Sequence, residues 1–324
     1  MRLCLLLLAL LLCPFAASSS AQAQSVAVKD ITPDGVIITR TGDRYRLAGQ
    51  GNRAGLLPLP PPLPGSTPTP DAPGLVPHGT VARGSGDIAF AWLADATARY
   101  AHGILGDRLE AATLRLRMAG DGRILQRVLP DHQVFEDLSP RLADMDGDGV
   151  DEVIVVRSDR DLGAALVVYG LREGAVTELA ATAPPGLPNR WLNPIGAADF
   201  DGDGIMEVAA VETPHGNGVL RVWEWADGAL VLQGDMPGVS NHAIGTPVLD
   251  LHAVRDMTGD GRPDILVPDQ ARTTLRVLTV GPTRIHESTR IALPGALGTR
   301  IVATAYGFIM GTTDGDLALV PLQP

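Results

Sequence analysis

Asp144-Met145-Asp146-Gly147-Asp148-Gly149-Val150-Asp151-Glu152 recurs twice in variant form, as Asp199-Phe200-Asp201-Gly202-Asp203-Gly204-Ile205-Met206-Glu207 and as Asp256-Met257-Thr258-Gly259-Asp260-Gly261-Arg262-Pro263-Asp264. The first acids of successive copies are 55 and 57 residues apart. Each copy gathers side-chain oxygens at its positions 1, 3, 5 and 9 around glycines, the donor set that a hard cation such as calcium requires. A fixed period of this size marks a repeat architecture. The pattern predicts ligands Asp144, Asp146, Asp148, the Val150 carbonyl and Glu152 in the first loop. It predicts Asp199, Asp201, Asp203, the Ile205 carbonyl and Glu207 in the second, and Asp256, Thr258, Asp260, the Arg262 carbonyl and Asp264 in the third. Threonine at position 258 removes one charge, so the expectation is two full Ca2+ sites and a weaker third.

A β-rich run follows each loop: Val153 to Val156, Val208 to Val211, Ile265 to Val267. A second run comes next (Leu166 to Tyr169, Leu220 to Trp223, Leu275 to Leu278), then a hairpin signal at Glu173-Gly174, Asp227-Gly228 and Gly281-Pro282. Asp121-Gly122 supplies the same signal one period earlier, without an acidic loop before it. The glycines at 122, 174, 228 and 281 are 52, 54 and 53 residues apart, a second register for the same period. Each period holds about four short strands, which is one propeller blade. Trp223 and Trp225 alternate with Glu224 and belong on one sheet face. A last unit starts near Arg300 and stops about one strand short. The strand around Val36 to Thr39 is the candidate to fill that gap. The expected fold is therefore all-β: a β-propeller of about five four-stranded blades, its ring closed by N- and C-terminal strands.

Outside the repeats, residues 1–23 read as a secretory signal peptide. Arg2 is the charged region, Leu3 to Phe15 the apolar region and Ala21-Gln22-Ala23 the cleavage site. Cys4 and Cys13 lie within it, so the mature chain carries no thiol; bulky Leu12 argues against a lipoprotein at Cys13. Its removal takes the formal charge from −11 to about −12, against nucleic acid and anionic lipid as partners. Localisation is expected to be periplasmic or extracellular, with no transmembrane segment in the mature chain. Residues 24–50 read as strands around the turn Asp34-Gly35, residues 51–80 as a Pro-rich linker or surface wrap, and 81–324 as the propeller. Aromatic residues are only 4% of the chain, so valine, leucine and isoleucine must build the core.

An EF-hand does not fit, because position 12 is Val155, Ala210 or Val267 within a strand-like run. The chain contains no Gly-Gly pair, which counts against kelch blades, and the period is too long for WD40. The loops and the strands that follow them resemble FG-GAP/VCBS repeats, the calcium-looped blades also found in the integrin α-subunit propeller. The resemblance spans roughly residues 81–324. It implies a calcium-bearing β-propeller with metals on loops at the blade edge, and no single activity: some such proteins bind ligands, some are scaffolds and some are lyases.

Catalytic motifs are lacking: the chain has no H-E-x-x-H, no G-x-S-x-G and no phosphate loop. Polar and aromatic residues do recur before the acidic loops. Tyr100, His102, Asn189, Arg190, Trp191, Asn193, Asn241 and His242 are the candidate ligand-binding set, if the blades bring them to one face around the channel; the alternative is that they cap blade ends. The leading functional expectation is an exported, calcium-stabilised interaction module for an unidentified protein or glycan. The alternative is an exported carbohydrate-active enzyme using the same face.

Overall fold

A computed structural model describes residues 21–50, 53–61 and 70–321. Residues 1–20 of the predicted signal peptide and the middle of the Pro-rich segment lie outside the described residues. Every regular element described is a strand, and no helix is long and apolar enough to cross a membrane.

Strand β1 is Gln22–Ser25. A first unit comprises β2 (Val28–Ile31), β3 (Ile37–Thr39), β4 (Arg44–Gln50) and β5 (Arg53–Leu59). The second comprises β6 (Ala82–Arg83), β7 (Ile88–Thr97), β8 (Glu110–Met118) and β9 (Ile124–Val128). After the connecting strand β10 (Gln133–Phe135) comes the third: β11 (Arg141–Ala143), β12 (Glu152–Asp159), β13 (Gly163–Arg172) and β14 (Ala175–Ala181). The fourth is β15 (Leu192–Ala198), β16 (Glu207–Glu212), β17 (Val219–Ala226) and β18 (Ala229–Pro237). The fifth is β19 (Ala253–Arg255), β20 (Asp264–Pro268), β21 (Thr274–Gly281) and β22 (Arg284–Ala292). The sixth is β23 (Val302–Thr304), β24 (Gly307–Gly311) and β25 (Asp316–Val320), completed by β1. All pairings are antiparallel, of the kind that builds β-propeller blades. The described residues form five sheets, one of them nine-stranded because β10 pairs with both β8 and β12 and so fuses the second and third units.

The expected hairpins lie where the turn chemistry put them. Glu173-Gly174 and Asp227-Gly228 both have positive φ (52° and 77°, 49° and 76°), the left-handed pair that a two-residue β-hairpin needs. Three units share a feature with no simple sequence signal. The pairing of third and fourth strands slips by one residue at Val168/Tyr169, Val222/Trp223 and Val277/Leu278. The extra residues, Leu179, Gln233 and Ser288, form bulges at matching positions.

Apolar faces hold the units together: the second to fifth units each press on the next in chain order, and the sixth presses on the first. Leu93, Leu114 and Val155 pack between second and third units, Val168, Trp223 and Trp225 between third and fourth, and Val222, Ile265 and Leu278 between fourth and fifth. Leu266, Phe308 and Met310 join fifth to sixth, and Ile31, Ile37, Ile309 and Leu319 join sixth to first. Trp223 and Trp225 share one face, as their alternation predicts.

Two expectations need correction. The described residues form six units rather than about five, because β2 to β5 make a unit of their own. The strand that completes the last unit is not Val36 to Thr39. It is β1, whose Gln22, Ala23, Gln24 and Ser25 stand opposite Leu319, Ala318, Leu317 and Asp316. The Val36–Thr39 stretch instead contributes β3 to a separate sheet, which buries Ile31 and Ile37 against the sixth unit. The start of the expected Pro-rich linker, Arg53–Leu59, is a strand of that sheet. Residues 70–80 do wrap a neighbour: Trp92 Nε1 donates to the Pro73 carbonyl at 3.1 Å and Val76 N to Leu93 O.

Candidate metal centres and a histidine-lined pocket

Each acidic loop joins the first strand of its unit to the second: β11 to β12, β15 to β16, β19 to β20. The position-1 aspartate folds the loop. Asp144 Oδ1 accepts from Gly147 N at 2.8 Å and Oδ2 from Gly149 N at 2.9 Å. Asp199 and Asp256 repeat this with Gly202 and Gly204, and with Gly259 and Gly261. All six glycines have φ between 75° and 90°, where a Cβ is strained.

What the loops do with the remaining oxygens separates the third from the other two. Asp144, Asp146 and Glu152 bring ligand atoms within 4.8 Å of one another, as do Asp199, Asp201, Asp203 and Glu207. Glu152 and Glu207 are each 0% exposed. One carboxylate oxygen is bonded, Glu152 Oε2 by Met145 N at 3.0 Å and Glu207 Oε2 by Phe200 N at 2.6 Å. The other oxygen of each is buried without a partner, which costs about 1–3 kcal/mol unless something satisfies it. Burial and the neighbouring aspartates push both carboxyls up to about 7. A divalent cation would supply the missing partner and offset the repulsion, so these residues fit a metal ion.

The third loop differs in chemistry. Asp264, also buried, has both oxygens satisfied: Oδ1 by Thr279 Oγ1 at 2.6 Å, Oδ2 by Met257 N at 2.8 Å and Thr258 N at 3.0 Å. Arg262 Nη2 donates to Asp260 Oδ2 at 2.6 Å, so a guanidinium already neutralises the loop. Among the described residues Asp256, Thr258, Asp260, Arg262 and Asp264 form no converging cluster. The expected weaker third site is therefore not supported by geometry.

On another part of the repeat surface a pocket of about 400 Å³ is lined by His102, Ile104, Arg190, Trp191, Pro214, His215 and Ile244, among others. His102 Nδ1 lies 2.6 Å from Glu136 Oε1, a hydrogen-bond distance. Glu136 is fully buried, and Ser158 Oγ donates to its other oxygen. Desolvation pushes the Glu136 carboxyl up, and His102 opposes the rise. Opposite, His215 stacks on Trp191 at 5.8 Å between centroids and 15° between planes. His242 Nε2 lies 2.9 Å from the Thr246 carbonyl, and His215 Nε2 lies 2.7 Å from His242 Nδ1. Burial depresses both histidines, to about 4 for His215 and about 3 for His242, so both are neutral at pH 7.

The family model for the FG-GAP-like repeat matches residues 144–210 and 199–267. Residues 144–267 are thus similar to FG-GAP-like repeats. The match takes in all three acidic loops and is narrower than the span 81–324 that the loops and strands suggest. No curated protein matches the chain. The first two FG-GAP-like loops carry the orphaned glutamates; the third closes its match without one.

The residues expected to meet at one face divide into two groups. His102, Asn189, Arg190 and Trp191 line the pocket, with Tyr100 behind His102 (centroids 6.1 Å apart) and His242 behind His215. Asn193 and Asn241 are fully buried and lock the fourth unit to the fifth: Asn193 Nδ2 donates to Leu249 O at 2.7 Å, Asn241 Nδ2 to Asn193 O at 3.0 Å. They satisfy backbone between units rather than face the pocket. Trp191 is 3% exposed and donates through Nε1 to Glu136 O at 2.9 Å, so it is the pocket's floor and no open stacking platform. Sequence reasoning missed His215, Glu136 and Ser158. His215 follows β16 in the turn Thr213-Pro214-His215-Gly216, where Thr213 has φ 44°. That turn was the one available signal. It also missed Asp151, whose carboxylate accepts from Ser85 N and Gly86 N and ties the first acidic loop to the second unit.

Proposed function

We propose that this chain is an exported β-propeller acting as an interaction module, with Ca2+ stiffening the loops of its third and fourth units. The carrying observation is the pair of buried, unpartnered oxygens Glu152 Oε1 and Glu207 Oε1, each set among aspartates on a preformed loop. Five successive apolar interfaces, running from the second unit round to the sixth and on to the first, support a ring-like arrangement of the units. The charged and apolar segments at residues 1–23 support export. Binding only to the native state would stabilise by about 2.7 kcal/mol per site at a hundredfold excess over the dissociation constant. Equilibrium dialysis should count two Ca2+ per chain, and Glu207→Gln should remove one. Chelation should lower the melting temperature; identical melting curves with calcium and with chelator would remove this reading.

A second reading keeps the fold and adds catalysis. The His102–Glu136 pair is a buried carboxylate orienting an imidazole at a pocket, the arrangement of a general base. It favours the enzyme alternative, with the carbohydrate class carried over from the expectation above and not from this pair. Turnover of polysaccharides by the protein, lost in His102→Gln with melting unchanged, would promote that reading over the first.

A further inference from the structure

The pocket offers a distinct set of groups, fixed by a chain of hydrogen bonds. The Thr246 carbonyl can only accept, so His242 Nε2 carries a hydrogen and His242 Nδ1 a lone pair. That lone pair must accept from His215 Nε2. His215 therefore carries no hydrogen on Nδ1, which is left as an acceptor on a pocket-lining ring and has no partner among the described residues. The burial that keeps both rings neutral holds this tautomer in place.

Arg190 adds the opposite character. It is exposed, lines the pocket and has no ion-pair partner among the described residues. Arg272 lies close enough to help depress both His215 and His242, a second positive charge nearby. On a chain of net charge −11 this is a local cationic spot. Ile104, Pro214 and Ile244, the last 67% exposed, give the lining an aliphatic part beside polar Asn189, Thr213 and Asn217. Sugar-binding sites lean on an open aromatic face, and Trp191 offers none. The volume suits a small ligand or a chain end, not a folded surface.

We infer that this pocket captures the free carboxyl terminus of a peptide whose last side chain is apolar. Arg190 holds the carboxylate, which its planar fork can do through two parallel bonds. The Nδ1 atom of His215 accepts the last peptide N–H. The terminal side chain lies on Ile104, Pro214 and Ile244. The inference rests on the interaction-module reading and names its ligand.

The test is fluorescence polarisation with fluorescein-labelled peptides Gly-Ser-Gly-Ser-Ala-X, where X is Leu, Val, Asp or Lys. Each is made as free acid and as amide and titrated against the calcium-loaded full chain. Leu and Val free acids should bind, and their amides at least tenfold more weakly. Arg190→Ala should weaken the free acids at least tenfold and Arg190→Lys less, both variants melting like the parent. Amides that bind as well as acids, Arg190→Ala without effect, or no binding by any free acid would each overturn the assignment. Neutral and uronic-acid oligosaccharides go through the same assay, and their binding in place of peptides also overturns it. Because calcium stoichiometry and melting test the scaffold separately, a failure here is distinguishable from a failure of the module reading.

Discussion

Arg262 of the third acidic loop donates through Nη1 to the backbone carbonyl of Asp201 in the second, at 3.0 Å. Its stem lies over Gly202, where a Cβ would come within 2.7 Å of Arg262 Cδ. The same guanidinium pairs with Asp260. One side chain thus neutralises its own loop and clips it to the neighbouring acidic loop.

Arg262→Ala should therefore leave the count at two Ca2+ per chain, since Asp264 keeps Thr279 and two backbone amides as partners. The second loop should suffer instead: it loses a brace, so affinity at that site and the melting temperature should fall modestly, as expected of a half-exposed ion pair. Thr258→Asp alone should not add an ion while Arg262 remains. Equilibrium dialysis with a parallel thermal melt reads both effects; a third ion in Thr258→Asp would contradict the guanidinium's role, and a third ion in Arg262→Ala would contradict the satisfied state of Asp264.

The sixth unit depends on β1. Deleting residues 24–27 from the mature chain should bare the β25 groups that face Gln24 and Ser25, at Leu317 and Asp316. An unpaired edge of this kind promotes association, so size-exclusion chromatography should show oligomers and a lowered melting temperature. Gln24→Pro removes one donor from the same ladder and should act in the same direction, less strongly. A monomeric truncation with an unchanged melt would make β1 an appendage.

Stability should also respond to pH through Glu110. It is 2% exposed, neither oxygen has a partner, and burial followed by the nearby Glu136 pushes its carboxyl from 4.5 up to about 10. Between those values the native chain keeps a proton that the unfolded chain releases, so stability falls as pH rises through that window. Below about pH 6.5 His215 and His242 act oppositely: their folded values of about 4 and about 3 mean the unfolded chain takes up protons first, and stability drops as pH falls. Glu110→Gln should flatten the alkaline decline, with the larger gain in melting temperature at pH 8 and little at pH 5. An equal shift at both values would show that Glu110 is not the titrating group.

Much of the repeat was legible because its signals are local. A positive-φ glycine after an acid, and a two-residue turn between β-branched runs, each act within a handful of residues. The orphaned oxygens were not legible, since they depend on what stands across the sheet. On the third strand Gly170 stands beside Glu152 Oε1 and offers no hydrogen bond, whereas Thr279 on the equivalent strand of the fifth unit bonds Asp264 Oδ1. The bulge residue differs too: Leu179 packs on Gly170, while Gln233 donates to Asp201 Oδ2 at 2.8 Å. Three loops of nearly one sequence thereby acquire two chemistries.

The amino-acid sequence by itself determined the all-β class, the period, the hairpin positions and the acidic loops, because nearest-neighbour sterics and turn hydrogen bonds decide those. Only the tertiary structure decided which N-terminal segment completes the last unit. Gln22–Ser25 and Ile37–Thr39 are both short strands, and the choice turns on Ile31 and Ile37 burying against Ile309 and Leu319. Packing likewise decided that His102, Glu136, Trp191 and His215, from separate connections, would share one pocket. Such contacts join residues far apart in the chain, and their geometry is fixed by how apolar faces stack, which no short stretch of sequence encodes.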